Sequence, residues 1–368
     1  MKTQKIIISL TPVRLHPRSG GAEYTKRILS RIKNKDKKLY IICPKGGYLF
    51  DISSNGIYEF SVFRGLGSLL LGFNLSYLVK VFKLVRLIKQ NKESTDIQIL
   101  LNGYLGAIST YVISRIIGAK STYIAHNVEK ERFSTKSLSY VEKRVLPILK
   151  VLVPLLEYFA TKFDRIVAIS YEDKRKFVVM YAVPPEKIVV VPPIAPKGYY
   201  PQNKSKLNKK SEYFIVFHGI YNYLPNREGM ELIRKYISKR IRYAKFVVFG
   251  SGTPEFIVDN FKSLGFVDDL YEFLSSCDIA VVPLRRGAGV KLKVLDYMAA
   301  GLPIVTTKKG AEGLDLVNGK HAIIVDDVNE EFVKAIEYLI ENPKVRRKLG
   351  HNVRKLFEKK YKGTEKRR

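Results

Sequence analysis

Short β-branched runs alternate with longer segments of helical period along nearly the whole chain, the pattern of parallel sheets covered by helices. Strands are predicted at 5–10, 39–42, 97–101, 122–125, 165–168 and 188–191, with helices at 22–32, 107–117 and 171–181. The texture breaks at Pro192, Pro193 and Pro196, and 203–211 is polar and basic with almost no apolar residue, which reads as a linker. A second series then begins, with strands at 213–217, 246–249, 279–282, 304–306 and 322–325. At 368 residues the chain is long enough for two cores. The fold class is therefore α/β: two facing Rossmann-like domains, each a parallel sheet flanked by helices. The expected division is 1–195, a linker at 196–211, 212–342, and a C-terminal helix and basic tail at 343–368 packing back on the N-terminal domain. In open parallel sheets ligands sit outside the carboxyl ends of the strands, so facing domains offer two sets of loops to one cleft.

Lys and Arg number 65 against 34 Asp and Glu, a formal charge of +31. Such a field favours an anionic partner: a phosphorylated small molecule, nucleic acid or an anionic membrane surface. Aromatic residues are not interleaved with the basic runs as a base-stacking surface requires, so no specific nucleic-acid partner is expected. Cys43 and Cys277 stand far apart in apolar contexts, which fits a reducing cytoplasm better than a disulfide framework or a thiolate metal site. The opening MKTQKIIISL has too short an apolar run for a signal peptide, and the charge-free stretches at 65–79 and 151–156 are shorter than the roughly 20 apolar residues of a spanning helix. Between Phe60 and Lys92 no acidic residue occurs, and Leu75, Leu78, Phe82 and Val85 fall at helical spacing with Lys80, Lys83 and Lys89 off that stripe. Two readings fit this 75–89 segment: a basic amphipathic helix on anionic lipid, or a core-packed helix with a solvated basic face.

Chemistry gathers at strand ends. After the first strand, Gly20 and Gly21 precede a helical segment; paired glycines let backbone approach an anion at a helix start, and equally mark a tight turn. The run from Cys277 reads CDIAVVPLRRGAGVKLKVLDYMAAGLPIVTT. Here a buried strand ends at Pro283, a loop carries Arg285, Arg286, Gly287 and Gly289, and a helix follows from about Val290. Glycine amides, a guanidinium fork and Lys293 in the first turn together suit phosphate oxygens. Asp296, three residues after Lys293, either accepts hydrogen bonds from ribose hydroxyls or forms a solvated pair with that lysine. His126 follows a strand directly and is either a polarising group beside a reacting hydroxyl or a half-buried histidine already satisfied. His218, at another strand end, is a weaker candidate. The segments 118–121 and 319–321 lack the glycine spacing of a P-loop, and Gly250-Ser251-Gly252 lacks the third glycine of a dinucleotide fingerprint.

Taken together, Gly20-Gly21-Ala22-Glu23, HGIYNYLPN from His218, GFVDDL from Gly265 and above all PLRRGAGVKLKVLDYMAAGLPIVTT resemble the retaining nucleotide-sugar glycosyltransferases of the GT-B fold. Within these the resemblance is to the large fourth family of the carbohydrate-enzyme classification. It implies an acceptor-side N-terminal domain and a C-terminal domain that holds a nucleoside-diphosphate sugar, UDP or GDP being the expected carrier. The donor diphosphate would lie near Gly20, Gly21, Arg285, Arg286, Gly287, Gly289 and Lys293. Asp296 would take the place of the family's ribose-holding Glu, His126 that of its acceptor-side His, and Arg227, Gly219 and Glu312 would be further donor contacts. No metal and no other cofactor is implied. The acceptor would be lipid-linked or a growing glycan, and the enzyme would work peripherally at the inner face of the cytoplasmic membrane. The family's first glutamate has no counterpart between Pro283 and Asp296, and Ile220 stands near its usual Arg, with Arg227 as a partial substitute. A sugar-nucleotide 2-epimerase of the same architecture and a non-enzymatic polyanion binder are the alternatives.

Overall fold

A computed structural model describes residues 4–11, 24, 25, 28, 29, 37–44, 56–60, 79, 81–86, 95–134, 146–193 and 212–362. Gly20, Gly21, the 196–211 linker, the tail beyond 362 and most of the 75–89 segment lie outside these. The chain forms two compact units that divide between Pro192 and Pro193.

The first unit is built on a seven-stranded sheet of order β3-β2-β1-β4-β5-β6-β7, with β1 Gln4–Leu10, β2 Lys37–Pro44, β3 Gly56–Phe60, β4 Thr95–Asn102, β5 Lys120–Ile124, β6 Arg165–Ala168 and β7 Ile188–Val190. Every neighbouring pair is parallel. Central β1 is buried from Ile6 to Leu10, as a strand covered on both faces must be. The order reverses between β1 and β4, which opens a crevice at their carboxyl ends. Asn102 fastens that point: its Nδ2 donates to Ser9 Oγ at 2.9 Å, to the Leu10 carbonyl at 3.0 Å and to Thr11 Oγ1 at 3.3 Å. Of the covering helices, α1 spans Ala107–Ile117, α2 Glu129–Ser134, α3 Leu146–Thr161 and α4 Tyr171–Tyr181. Crossovers between parallel strands are right-handed, so the connections β3→β4 through β6→β7, which all run in one direction across the sheet, lie on one face. That face carries the helical residues at 79 and 81–86 and all of α1 to α4.

Of the stripe expected at 75–89, Phe82 and Val85 fall within the described residues, and they part. Val81, Leu84 and Val85 are buried, whereas Phe82 is exposed beside Lys83 and Arg86. The buried positions follow the i, i+3, i+4 spacing from Val81, which takes in Val85 and leaves Phe82 out.

The second unit repeats the plan with order β10-β11-β9-β8-β12-β13-β14. Its strands are β8 Tyr213–His218, β9 Ala244–Phe249, β10 Glu255–Val258, β11 Phe261–Leu264, β12 Ile279–Val282, β13 Ile304–Thr307 and β14 Ile323–Val325. All pairs are parallel except the β10–β11 hairpin, which the sequence reading did not anticipate. Helices α5 Leu224–Leu232, α6 Leu270–Ser275, α7 Leu292–Ala300, α8 Lys308–Ala311, α9 Glu330–Glu341 and α10 Pro343–Lys360 complete it. The expected C-terminal helix is α10; it packs on α7 and α9 and buries Leu349, Val353, Leu356 and Phe357 in the second unit's core.

Asn102→Ala should lower the stability of the first unit by about 1–3 kcal/mol, because three buried partners lose their donor. Urea denaturation followed by circular dichroism checks this; an unchanged midpoint would show that the switch point does not depend on the amide.

Candidate functional site

In the second unit the strand order reverses between β8 and β12, and the conspicuous residues collect at the carboxyl ends of those strands. β8 delivers His218 and Gly219, while β12 runs into the loop 283–291 and then α7, whose first turn holds Lys293. Lys293 Nζ donates to Asn226 Oδ1 at 2.6 Å and lies 3.9 Å from the centre of the Phe217 ring. Among the described residues no carboxylate comes within ion-pair distance of it. Burial, and then the neighbouring charge of Lys291, hold this ammonium well below the ordinary lysine range, with Asp296 opposing. The solvated Lys293–Asp296 pair does not form.

Two glycines make room for that cation. A Cβ on Gly219 would sit 2.6 Å from both Lys293 Nζ and Asn226 Nδ2, and one on Gly250, at the end of β9, would collide with the Gly219 carbonyl. Backbone thus reaches the lysine where any side chain would block it. Asn226 ties the arrangement together by also donating to the Ile220 carbonyl at 2.9 Å. Gly287 and Gly289, both at positive φ, let the next loop turn tightly. Lys291 is buried and donates to the Gly289 carbonyl at 2.5 Å, with Glu312 Oε2 at 3.3 Å; Lys309 holds the same carboxylate at 2.9 Å. Glu312 is therefore an anchor for the glycine loop.

Asp296 projects one turn further along α7. Its Oδ1 accepts from Tyr271 Oη at 2.9 Å, and its Oδ2 is 3.6 Å from His218 Nε2. Burial and the charge of Lys293 push His218 down to about 3, so at neutral pH this imidazole is uncharged and its approach to Asp296 is not an ion pair. His218 stacks on Phe249, meets Tyr297 edge-on, and leaves Nε2 buried without a hydrogen bond. The backbone N–H of His218 donates to Tyr297 Oη at 2.8 Å, which fixes the strand end.

The two arginines of the loop part company. Arg286 Nε pairs with Glu228 at 2.8 Å. Arg285 is bonded to Asp327 at 2.6 Å and to the Val328 carbonyl at 2.9 Å, so the two guanidiniums, either of which the sequence offered as the fork, are held by different partners. Arg227 is exposed on α5, and Asn226 beside it makes the contact instead. Asn226, Tyr271 and Lys291 were not singled out from the sequence, although Asn226 closes the HGIYNYLPN segment, and Gly250 was noted only in a rejected dinucleotide fingerprint.

In the first unit His126 follows β5 as expected. Its Nε2 lies 3.1 Å from Thr25 Oγ1 and its ring meets Tyr24 edge-on, while Tyr24 Oη donates to the Val191 carbonyl at 2.7 Å. Burial pushes the imidazole down to about 4, leaving it neutral. Next to it, the amides of Glu129 and Lys130 donate to the buried Glu157 carboxylate at 2.8 and 3.0 Å, which fixes the loop that carries His126.

Two family profiles match the chain: one described as Glycosyltransferase Family 4 over residues 18–195, and one described as Glycosyl transferases group 1 over residues 212–342. An uncharacterized glycosyltransferase of Methanocaldococcus jannaschii is 30% identical over 95 residues, a match spanning 26% of each chain. Among solved structures, Anabaena HepE in complex with UDP and glucose superposes with a TM-score of 0.69 at 14% identity, covering 97% of this chain and 95% of that one. Sucrose-phosphate synthase of Thermosynechococcus elongatus gives a TM-score of 0.72 at 16% identity, with 97% and 95% covered.

The depressed His218 has a consequence for acid stability. Between its unfolded value near 6.5 and about 3, the unfolded chain binds a proton that the folded one refuses, so stability falls as pH drops through that window. His218→Phe should remove roughly 2–3 kcal/mol of the loss between pH 7 and pH 4. Urea titrations at both pH values measure it, and parallel pH curves for parent and variant would refute the buried neutral imidazole.

Proposed function

The chain belongs to the group 1 glycosyl transferases, and from that premise we propose that it transfers a sugar from a UDP-sugar to an acceptor hydroxyl with retention of configuration. The observation that carries this reading is Lys293: a half-buried lysine without a carboxylate partner among the described residues, reached by the backbone at Gly219 and adjoining a glycine loop with Arg286. A diphosphate supplies the missing counter-charge, and its arrival would restore the lysine toward its ordinary range. As the bond from the anomeric carbon to the phosphate oxygen breaks, negative charge grows on the leaving diphosphate. Preorganised amides and cations there stabilise the transition state more than the ground state. In this reading Asp296, held by Tyr271, accepts from the ribose hydroxyls, while Arg286, Gly287, Gly289 and Gly219 face the diphosphate and Glu312 supports their loop. Arg285 and Arg227 have no part in it.

UDP is favoured over GDP by the UDP complexes of the structurally similar HepE. His126 takes an acceptor-side role. With its pKa near 4 it is a poor proton acceptor at neutral pH, so it orients an acceptor hydroxyl by hydrogen bonding and the proton leaves with the departing diphosphate. Side-chain cations do the work a divalent ion would otherwise do. A lipid-linked or glycan acceptor at the inner membrane face accords with the charge of +31. Among the described residues no helix is long and apolar enough to cross a membrane, so the proposed association is peripheral.

Thermal shift against UDP, GDP and their sugars tests the donor site, because a ligand bound only by the native state raises its stability. UDP should raise the melting temperature with or without EDTA; the absence of a shift with every nucleoside diphosphate would overturn the reading. Lys293→Met should weaken UDP binding by at least roughly tenfold while leaving the melting temperature of the free protein unchanged or higher, since it removes a buried charge. With an acceptor in hand, NMR of the product's anomeric proton reports retention.

A further inference from the structure

Helix α3 is apolar on both sides. One side buries Val153, Leu156 and Ala160 in the first unit. The other carries Ile148, Val151, Leu155 and Tyr158, exposed by 47%, 71%, 47% and 41%. At 100° per residue these four fall in one stripe, which exposed Lys162 continues and exposed Lys150 flanks. The single acid of the helix, Glu157, is fully buried, where it accepts from Tyr181 Oη and the amides of Glu129 and Lys130. The outward side therefore offers only apolar and cationic groups.

The same character extends to the neighbouring helices. α1, which packs on α3, exposes Val112 and Ile116, and the helical residues at 79 and 81–86 expose Val79, Phe82, Lys83 and Arg86. All lie on the face of the first sheet shared by the right-handed crossovers. A helix hydrophobic all round is expected inside a core or against lipid, and contiguous exposed apolar surface marks an interaction site. The 16 residues of α3 are too few to span a bilayer but enough to lie in its surface. The flanking lysines and the charge of +31 select an anionic one.

We infer that this face of the first unit docks on an anionic lipid bilayer, with α3 lying in the interface through Ile148, Val151, Leu155 and Tyr158. This rests on the membrane reading above and gives it a surface, which takes in exposed Phe82, Lys83 and Arg86 of the 75–89 segment together with α3. α3 ends shortly before β6 begins and so runs antiparallel to the strands. Its start lies toward the carboxyl edge of the sheet, the edge at which His126 follows β5. A bilayer held by α3 thus lies toward the edge at which a lipid-linked acceptor is needed.

The chain contains no tryptophan, so Leu155→Trp introduces a single fluorophore. Phosphatidylglycerol vesicles should shift its emission to the blue, and brominated acyl chains should quench it. Phosphatidylcholine vesicles should do neither, nor should phosphatidylglycerol act on Ile257→Trp, a control at an exposed position of β10 in the second unit. Emission at position 155 that ignores phosphatidylglycerol would overturn the inference. In cosedimentation, Val151→Glu with Leu155→Glu should lower vesicle binding by at least about tenfold, whereas Ile257→Glu with Val258→Glu, the same charge change elsewhere, should leave it intact. Equal losses would reduce the effect to bulk charge and defeat the proposal. Should the glutamates lower the melting temperature, Ile148→Ser with Leu155→Ser repeats the test. A parent that ignores vesicles but dissociates from dimer to monomer in ultracentrifugation on Val151→Glu would assign the face to a second copy instead. Vesicle binding without sugar transfer would sink the proposed function alone, and transfer to a soluble acceptor without vesicle binding would sink the docking alone.

Discussion

A half-buried lysine set beside an amide and an aromatic ring, with no carboxylate at ion-pair distance among the described residues, is the constraint around which the second unit is organised. Such a charge is costly to bury unless something compensates it, and here Asn226 and the face of Phe217 give only partial compensation. The surrounding choices follow from that. Gly219 and Gly250 carry no side chains because the lysine and the neighbouring carbonyl occupy the space a Cβ would need. His218 stays neutral because a second cation beside Lys293 would add repulsion to desolvation. Lys291, two residues earlier, is given Glu312 as a partner, so that of the two lysines only Lys293 is left to an incoming anion.

Both units place their conspicuous residues by the same topological rule. Where the strand order reverses, the connections leave in opposite directions and the carboxyl ends of two strands stand uncovered. In the first unit this point is fastened by Asn102; in the second, β8 and β12 present the glycine loops and the start of α7 there. Helix α3 adds a second layer of economy. Its inward acid holds the loop after His126, while its outward stripe is left apolar, so one helix both supports a site residue and presents a surface.

Much of this could be read from the chain. Alternating periodicities predicted nearly every parallel strand, because β-branched runs buried on both faces have few other folds available. The segment from Pro283 to Thr307 announced an anion site through its glycines and cations. Its partners could not be read so directly. Asn226 lies 67 residues from Lys293, and Tyr271 lies 25 from Asp296. The sequence offered Arg285 or Arg286 as a fork but could not show that each meets its own acid, Asp327 and Glu228. Phe82 and Val85, placed on one stripe by spacing, part because helical spacing gives the period of a face but not its phase relative to the core.

What the amino-acid sequence determined alone is the kind of structure: two α/β units, most of their strands, and a glycine-rich run between a strand and a helix. These are local properties, set by periodicity, backbone freedom and charge within a few residues. What only the tertiary structure decided is which groups are paired and which are left unpaired. Lys293 met an amide and an aromatic ring, and Arg285 became a surface ion pair, according to which distant side chains the sheet order brought alongside, since desolvation and hydrogen bonding depend on neighbours in space and not on neighbours in the chain.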